Sequence, residues 1–288
     1  MKKALITDVD NTLFDWVDVW YKSFSAMMNK VEEISGISAS ELYPSISKIH
    51  QKYKTSEYAF LLEAIPELID RYGPDVNKIF EPAIYAYRKT RKEALCLYPG
   101  VLSTLKTLGE NNIILVAYTE SMSFYTNYRF RKLGLDEIFD FLYSPPDHQL
   151  PDNDLRNIRR YSDGHYAFKK TVHRHTPEGE LKPNPHILSS ILQEIGVTSM
   201  EAVYVGDSLM KDIAMAQQAK VLDVLAAYGA AQHRDQYELL KKVTHWSPAD
   251  VEREKTILAG QEVKPSIVLN TELTPILAQF GLETDSAR

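Results

Sequence analysis

Short apolar runs that stop at a polar or acidic residue recur along the chain. Ala4-Leu5-Ile6-Thr7 ends in Asp8, Ile113 to Tyr118 runs into Thr119, and Ala202-Val203-Tyr204-Val205-Gly206 runs into Asp207. Such runs, too short for helices and lacking polar alternation, predict strands of a parallel sheet buried on both faces. Each delivers a polar side chain from its carboxyl end. Phe141-Leu142-Tyr143, Leu222 to Leu225 and Ile267-Val268-Leu269 read as further strands. Helical spacing occupies Val101 to Leu108, Ser123 to Leu133 and Ile187 to Ile195, each ending near a glycine that can adopt a left-handed cap. Strands alternating with helices predict an α/β fold, a Rossmann-like doubly wound parallel sheet with its ligand crevice at the strand carboxyl ends.

The stretch 15–95 breaks this rhythm. Trp20, Phe24, Met27, Met28 and Val31 recur at helical spacing, as do Ile79, Ala83, Ile84 and Tyr87, so an all-helical domain is expected as an insertion after the first strand. These apolar stripes are assigned to packing. The catalytic core is then expected over 1–14 and 96–288. Within it, a polar insert at 144–180 opens with Pro145-Pro146. Asp163-Gly164 is expected there as a hairpin turn between Arg159-Arg160-Tyr161 and Tyr166-Ala167-Phe168. The charged stretch 232–262 reads as a helical connection.

Composition narrows the function. The 288 residues are 44% apolar, enough for a sizeable core, and a net charge of -6 supplies no global field for nucleic acid or anionic membrane. Cys96 is the only cysteine, which excludes an intramolecular disulfide and a thiolate-built zinc site and fits a cytoplasmic setting. The apolar stretch before Asp8 is too brief for a signal-peptide core, and no long uncharged apolar run follows. A protein neither exported nor membrane-spanning is expected.

Asp8-Val9-Asp10-Asn11-Thr12 sets two carboxylates two residues apart just past a buried strand. Alone, that pentapeptide is equally a loop whose acids cap the next helix. The rest of the chain changes the balance. Thr119 follows the second run, Lys182-Pro183-Asn184-Pro185 precedes a helix, and Gly206-Asp207-Ser208 follows a further strand with Asp212 five residues beyond Asp207. In these four ordered motifs the chain resembles the haloacid dehalogenase-like hydrolase superfamily, phosphatase type, with a helical cap of the C1 kind at 15–95.

The resemblance implies that Asp8 attacks phosphorus to form an aspartyl-phosphate. Asp10 then donates a proton to the leaving alkoxide and later takes one from water. It implies further that Thr119 and Lys182 bind the phosphoryl group, and that Mg2+ is held by Asp8, Asp207 and the backbone carbonyl of Asp10. Asp212 either holds a metal-bound water or fixes Lys182. A hard cation suits oxygen ligands and offsets the charge that would keep an anionic nucleophile from an anionic substrate. The family often carries glycine where Asn11 stands, and asparagine tolerates the same left-handed backbone. It commonly carries asparagine where Glu120 stands, a departure that touches the contacts beside Thr119.

Asp10 argues against a dehalogenase, which needs no second acid, and nothing singles out a cap lysine for a phosphonate hydrolase. A non-catalytic member that binds a phosphometabolite or a protein is the alternative from a different class. The expected partner is a small phosphorylated metabolite such as a sugar phosphate or nucleotide, with no organic cofactor. Asp15 and Trp16 are candidate substrate contacts by their closeness to the nucleophile loop. Arg159 and Arg160 are candidates within a locally basic insert that also carries Arg156, Lys169, Lys170, His173, Arg174 and His175.

Overall fold

The computed structural model describes residues 1–147, 162–246, 252 and 263–282. Seven parallel strands form one sheet in the order β4-β3-β2-β1-β5-β6-β7. They are β1 (Ala4–Thr7), β2 (Ile114–Tyr118), β3 (Phe141–Ser144), β4 (Val172–His175), β5 (Ala202–Gly206), β6 (Leu222–Ala226) and β7 (Ile267–Leu269). The central β1 is wholly buried, which is why its sequence is an unbroken apolar run. Its register sets Thr7 opposite Ala117 of β2 and Val205 of β5, so the three chains leave the sheet together at Asp8, Thr119 and Asp207.

The helices in chain order are α1 (Trp16–Ser35), α2 (Ala39–Tyr53), α3 (Pro66–Tyr72), α4 (Val76–Ile79), α5 (Glu81–Ala94) and α6 (Val101–Glu110). After them come α7 (Ser123–Leu133), α8 (Asp163–Tyr166), α9 (Pro185–Glu194), α10 (Ala214–Gln218) and α11 (Asp235–Val243). Among the described residues no helix is long and apolar enough to cross a membrane.

The chain divides into two compact units. The sheet unit holds Met1–Phe14, the stretch from Leu97 to Ala230 and the segment carrying β7. In its core, Ile6, Val116 and Tyr204 from the strands meet Leu188 and Ile191 of α9 and Met215 of α10. The helical unit holds Asp15–Cys96 and, in addition, the described residues of the stretch that begins at Ala231. The expectation that all of 96–288 belongs with the sheet follows chain order, whereas α11 packs in the helical unit. Its Tyr237, Leu240 and Val243 join Trp20, Phe24 and Val31 of α1 and Leu42 and Ile46 of α2 in one core. An amphipathic stripe tells that a helix buries a face, not against which neighbour.

The expected hairpin at Asp163-Gly164 is corrected. Asp163–Tyr166 is a single helical turn and is followed by β4, which pairs parallel with β3. The preceding arm expected at 159–161 lies outside the described residues. β4 is an edge strand, Val-His-Arg-His, with no residue fully buried, so it lacks the apolar run that marks the central strands. Its entry is fixed from elsewhere: the Asp136 carboxylate accepts hydrogen bonds from the N–H groups of Lys169, Lys170 and Thr171.

Candidate active site

The loop after β1 turns because Asn11 takes a left-handed φ of 60°. Behind it, Gly229 backs onto the loop so closely that a Cβ there would lie 1.7 Å from the Asn11 carbonyl oxygen. The Tyr228 hydroxyl donates to the Thr12 carbonyl at 2.8 Å. Clamped this way, the loop presents Asp8, whose backbone N–H donates to the Val205 carbonyl and whose Oδ2 accepts from the Thr12 hydroxyl at 3.1 Å.

Lys182 reaches the same point from the loop before α9, where Pro185 opens the helix and the Asn184 side chain caps it. Its Nζ donates to Asp8 Oδ1 at 2.6 Å and to Asp212 Oδ1 at 2.9 Å. The ammonium also lies 4.8 Å from the centroid of the Tyr118 ring. Asp212 sits in a π-helical turn, Leu209–Ile213, and is pinned by the Tyr204 hydroxyl and the Ser208 N–H. It packs on Gly206, where a Cβ would come within 2.3 Å of its Cγ. One carboxylate oxygen from each of Asp8, Asp207 and Asp212 lies within 4.8 Å of the others.

The electrostatics of this cluster are unbalanced. Burial, helped by Asp212 and Asp10 and opposed by Lys182, pushes the Asp8 carboxyl up to about 7. Burial and the charges of Asp8 and Asp212 push Asp207 well up as well. Burial pulls Lys182 down, but Asp212 and Asp8 outweigh it and hold the ammonium well above its ordinary value. Lys182, which bonds Asp8 and Asp212, and Lys211, which is also paired with Glu120, thus oppose three carboxylates, and among the described residues no hydrogen bond is made to the Asp207 carboxylate. That donor set fits a hard divalent cation, which would return Asp8 and Asp207 to their ionised forms.

Asp10 and Thr119 converge on the same loop. The Thr119 hydroxyl donates to Asp10 Oδ2 at 3.2 Å, while its N–H goes to the Tyr143 carbonyl. Ser121, Arg129 and Lys211 escape a reading of the sequence, and so do the partners of Glu120, noted there only as a departure. Ser121 donates to Asp10 Oδ2 at 2.6 Å, and the buried Arg129 of α7 lies 3.2 Å from Asp10 Oδ1. Glu120 accepts from the Lys182 N–H with one oxygen and pairs with Lys211 through the other. Lys211 and Lys182 outweigh its burial and hold the Glu120 carboxyl below its usual range. None has a periodic signature; a hint lay only in the polar Arg129 inside a buried helical stripe with Tyr125, Thr126 and Phe130.

The candidate substrate contacts fare differently. Asp15 caps α1 through the Asp18 N–H and pairs with Arg234, and the Trp16 indole donates to Glu57, so both have partners inside the helical unit. Arg156, Arg159 and Arg160 lie outside the described residues. Of the remaining basic residues, Lys169 and Lys170 sit at the amino end of β4, away from the strand ends that carry Asp8, and face Glu137 and Asp140.

Three comparisons bear on this geometry. A family model described as haloacid dehalogenase-like hydrolase matches residues 2–220. A glyceraldehyde 3-phosphate phosphatase of Methanopyrus kandleri is 27% identical over 237 residues, covering 81% of this chain and 87% of the relative. Among solved structures, a 2-haloacid dehalogenase of Pseudomonas syringae is similar with a TM-score of 0.57 and 18% identity, over 97% of this chain and all of the other. The Bacillus subtilis protein YfnB, solved bound to magnesium, is similar with a TM-score of 0.52 and 15% identity, over 97% and 98% of the two chains. Identities this low in the solved structures speak to the fold alone.

Proposed function

Because the chain belongs to the haloacid dehalogenase-like hydrolases, we propose that it hydrolyses a small phosphate monoester through an aspartyl-phosphate on Asp8. The observation that carries this reading is the junction at Lys182, whose ammonium bonds Asp8 and Asp212 at once beside an Asp207 carboxylate that accepts no hydrogen bond from the described residues. A dehalogenase would need the nucleophile but neither the metal-binding acids nor Asp10. The phosphatase relative supports the same choice, and its triose phosphate belongs to the class of substrate proposed.

In the first half-reaction an Asp8 oxygen forms a bond to phosphorus as the ester P–O bond breaks, and Asp10 gives its proton to the departing alkoxide. In the second, Asp10 takes a proton from water as that water's oxygen attacks phosphorus, releasing inorganic phosphate and regenerating Asp8. Lys182 holds Asp8 in place and offers positive charge to the phosphoryl oxygens as their charge redistributes. The Thr119 hydroxyl, given to Asp10 in the resting site, is available to a phosphoryl oxygen. Asp212 keeps Lys182 oriented, and Glu120 fixes the backbone from which Lys182 springs. Asp8, Asp207 and the Asp10 carbonyl would hold Mg2+, which supplies Lewis-acid neutralisation of the phosphate charge.

The test is magnesium-dependent phosphate release from p-nitrophenyl phosphate and a panel of sugar phosphates that includes glyceraldehyde 3-phosphate. Turnover abolished by Asp8→Asn and by chelation supports the reading. Persistent turnover in Asp8→Asn overturns it, and binding without turnover across the panel favours a non-catalytic member.

A further inference from the structure

A buried arginine is costly unless its charge and donors are satisfied, so where it points is informative. Arg129 is 4% exposed on the inner face of α7, at a position whose neighbours in the stripe, Tyr125 and Phe130, are core residues. Its guanidinium lies 3.2 Å from Asp10 Oδ1 and donates to the Ser121 hydroxyl at 3.0 Å; that hydroxyl in turn donates to Asp10 Oδ2 at 2.6 Å. The guanidinium carbon also lies over the Phe14 ring, 5.5 Å from its centroid. One Asp10 oxygen is therefore held by Thr119 and by the Ser121 that Arg129 supports, the other faces the Arg129 guanidinium as an ion pair, and the Asp10 side chain itself keeps 19% of its surface open.

We infer that Arg129, acting with Ser121, is a positioning residue that aims Asp10 at the leaving-group oxygen. This rests on the phosphatase reading above and deepens it. Arg129 is too buried to touch a substrate, and Asp8 and Lys182 have separate supports in Thr12 and Asp212. Loss of the bridge should then harm the step that needs Asp10 and spare the step that needs only Asp8. A proton donor misplaced by an ångström loses most of its advantage.

The leaving group separates the two. Nitrophenolate departs without a proton, whereas the alkoxide of an alkyl phosphate needs one. First-turnover rates are measured by rapid quench with p-nitrophenyl phosphate and with glyceraldehyde 3-phosphate for the wild type, Arg129→Met, Arg129→Lys and Ser121→Ala. Arg129→Met should slow the alkyl phosphate about 10- to 100-fold, within the range general acid catalysis contributes, and leave the nitrophenolate burst within about threefold. Arg129→Lys should recover part of the loss, and Ser121→Ala should show the same selectivity on a smaller scale. Equal slowing of both substrates, or no slowing in folded protein, overturns the inference. If Arg129→Met does not fold, the lysine and Ser121→Ala variants decide the matter alone. Asp8→Asn is the control: turnover surviving in it sinks the phosphatase reading, whereas a dead Asp8→Asn beside a non-selective Arg129→Met sinks only the positioning role.

Discussion

Lys182 is 6% exposed, and among the described residues its ammonium is the single positive charge bonded to Asp8. Replacing it by methionine keeps the volume but leaves Asp8 and Asp212 as buried, uncompensated carboxylates. The expected cost is about 3–5 kcal/mol of stability, read as a shift in the urea midpoint, together with loss of turnover. Gly206→Ala acts on the same junction from behind: its Cβ would meet Asp212 at 2.3 Å, so Asp212 must move and Lys182 with it. We expect kcat to fall by about tenfold or more with a near-native circular dichroism spectrum. Asp8, Thr119, Lys182 and Asp207 are legible in the sequence because each stands at the mouth of a strand or a proline-stiffened loop. Glu120, Ser121 and Arg129 are not, because their roles depend on loops from distant parts of the chain meeting at the end of the sheet.

At the level of elements, the central strands declare themselves because burial on both faces leaves them no polar positions. β4 does not, since an edge strand needs only one apolar face and its entry is set by Asp136 from another segment. In the helical unit, α2 and α11 are tied by His50, whose Nδ1–H donates to the Val243 carbonyl. Burial pulls the His50 imidazole down to about 4. Below pH 6.5 the unfolded chain therefore takes up a proton that the folded chain refuses until near pH 4. Stability falls as pH falls through that window, by on the order of 3 kcal/mol for this group. His50→Gln keeps a donor for Val243 but cannot titrate. Its chemical-denaturation curves should show a flatter loss of stability from pH 6.5 to 4 than the wild type, and an identical slope would show that His50 does not control the acid limb.

For the whole molecule, the decisive quantity is the surplus of negative charge gathered in the sheet unit at Asp8, Asp207 and Asp212. With the Asp8 carboxyl raised to about 7, protons and a divalent cation compete for the same group. In chelator, the raised carboxyl lowers stability as pH rises from about 4 toward 7, because the folded chain holds a proton that the unfolded chain has released. Magnesium binds the ionised form, so its stabilisation should grow over the same range. Thermal melting should show a larger magnesium-induced rise in Tm at pH 8 than at pH 5, and Asp207→Asn should remove most of that rise at both. The division into two units was legible only in part. The helical insertion at 15–95 follows from its periodicity, but the return of α11 to that unit depends on a core formed by segments about 200 residues apart.

The aspartyl-phosphate on Asp8 is tested most directly by trapping it. Enzyme mixed with magnesium and excess substrate is quenched in acid within the first turnovers, digested and analysed by mass spectrometry. The account predicts a phosphoryl group on the peptide carrying Asp8, located on that residue and absent from Asp8→Asn. Turnover that leaves no such adduct, or an adduct on another residue, contradicts it.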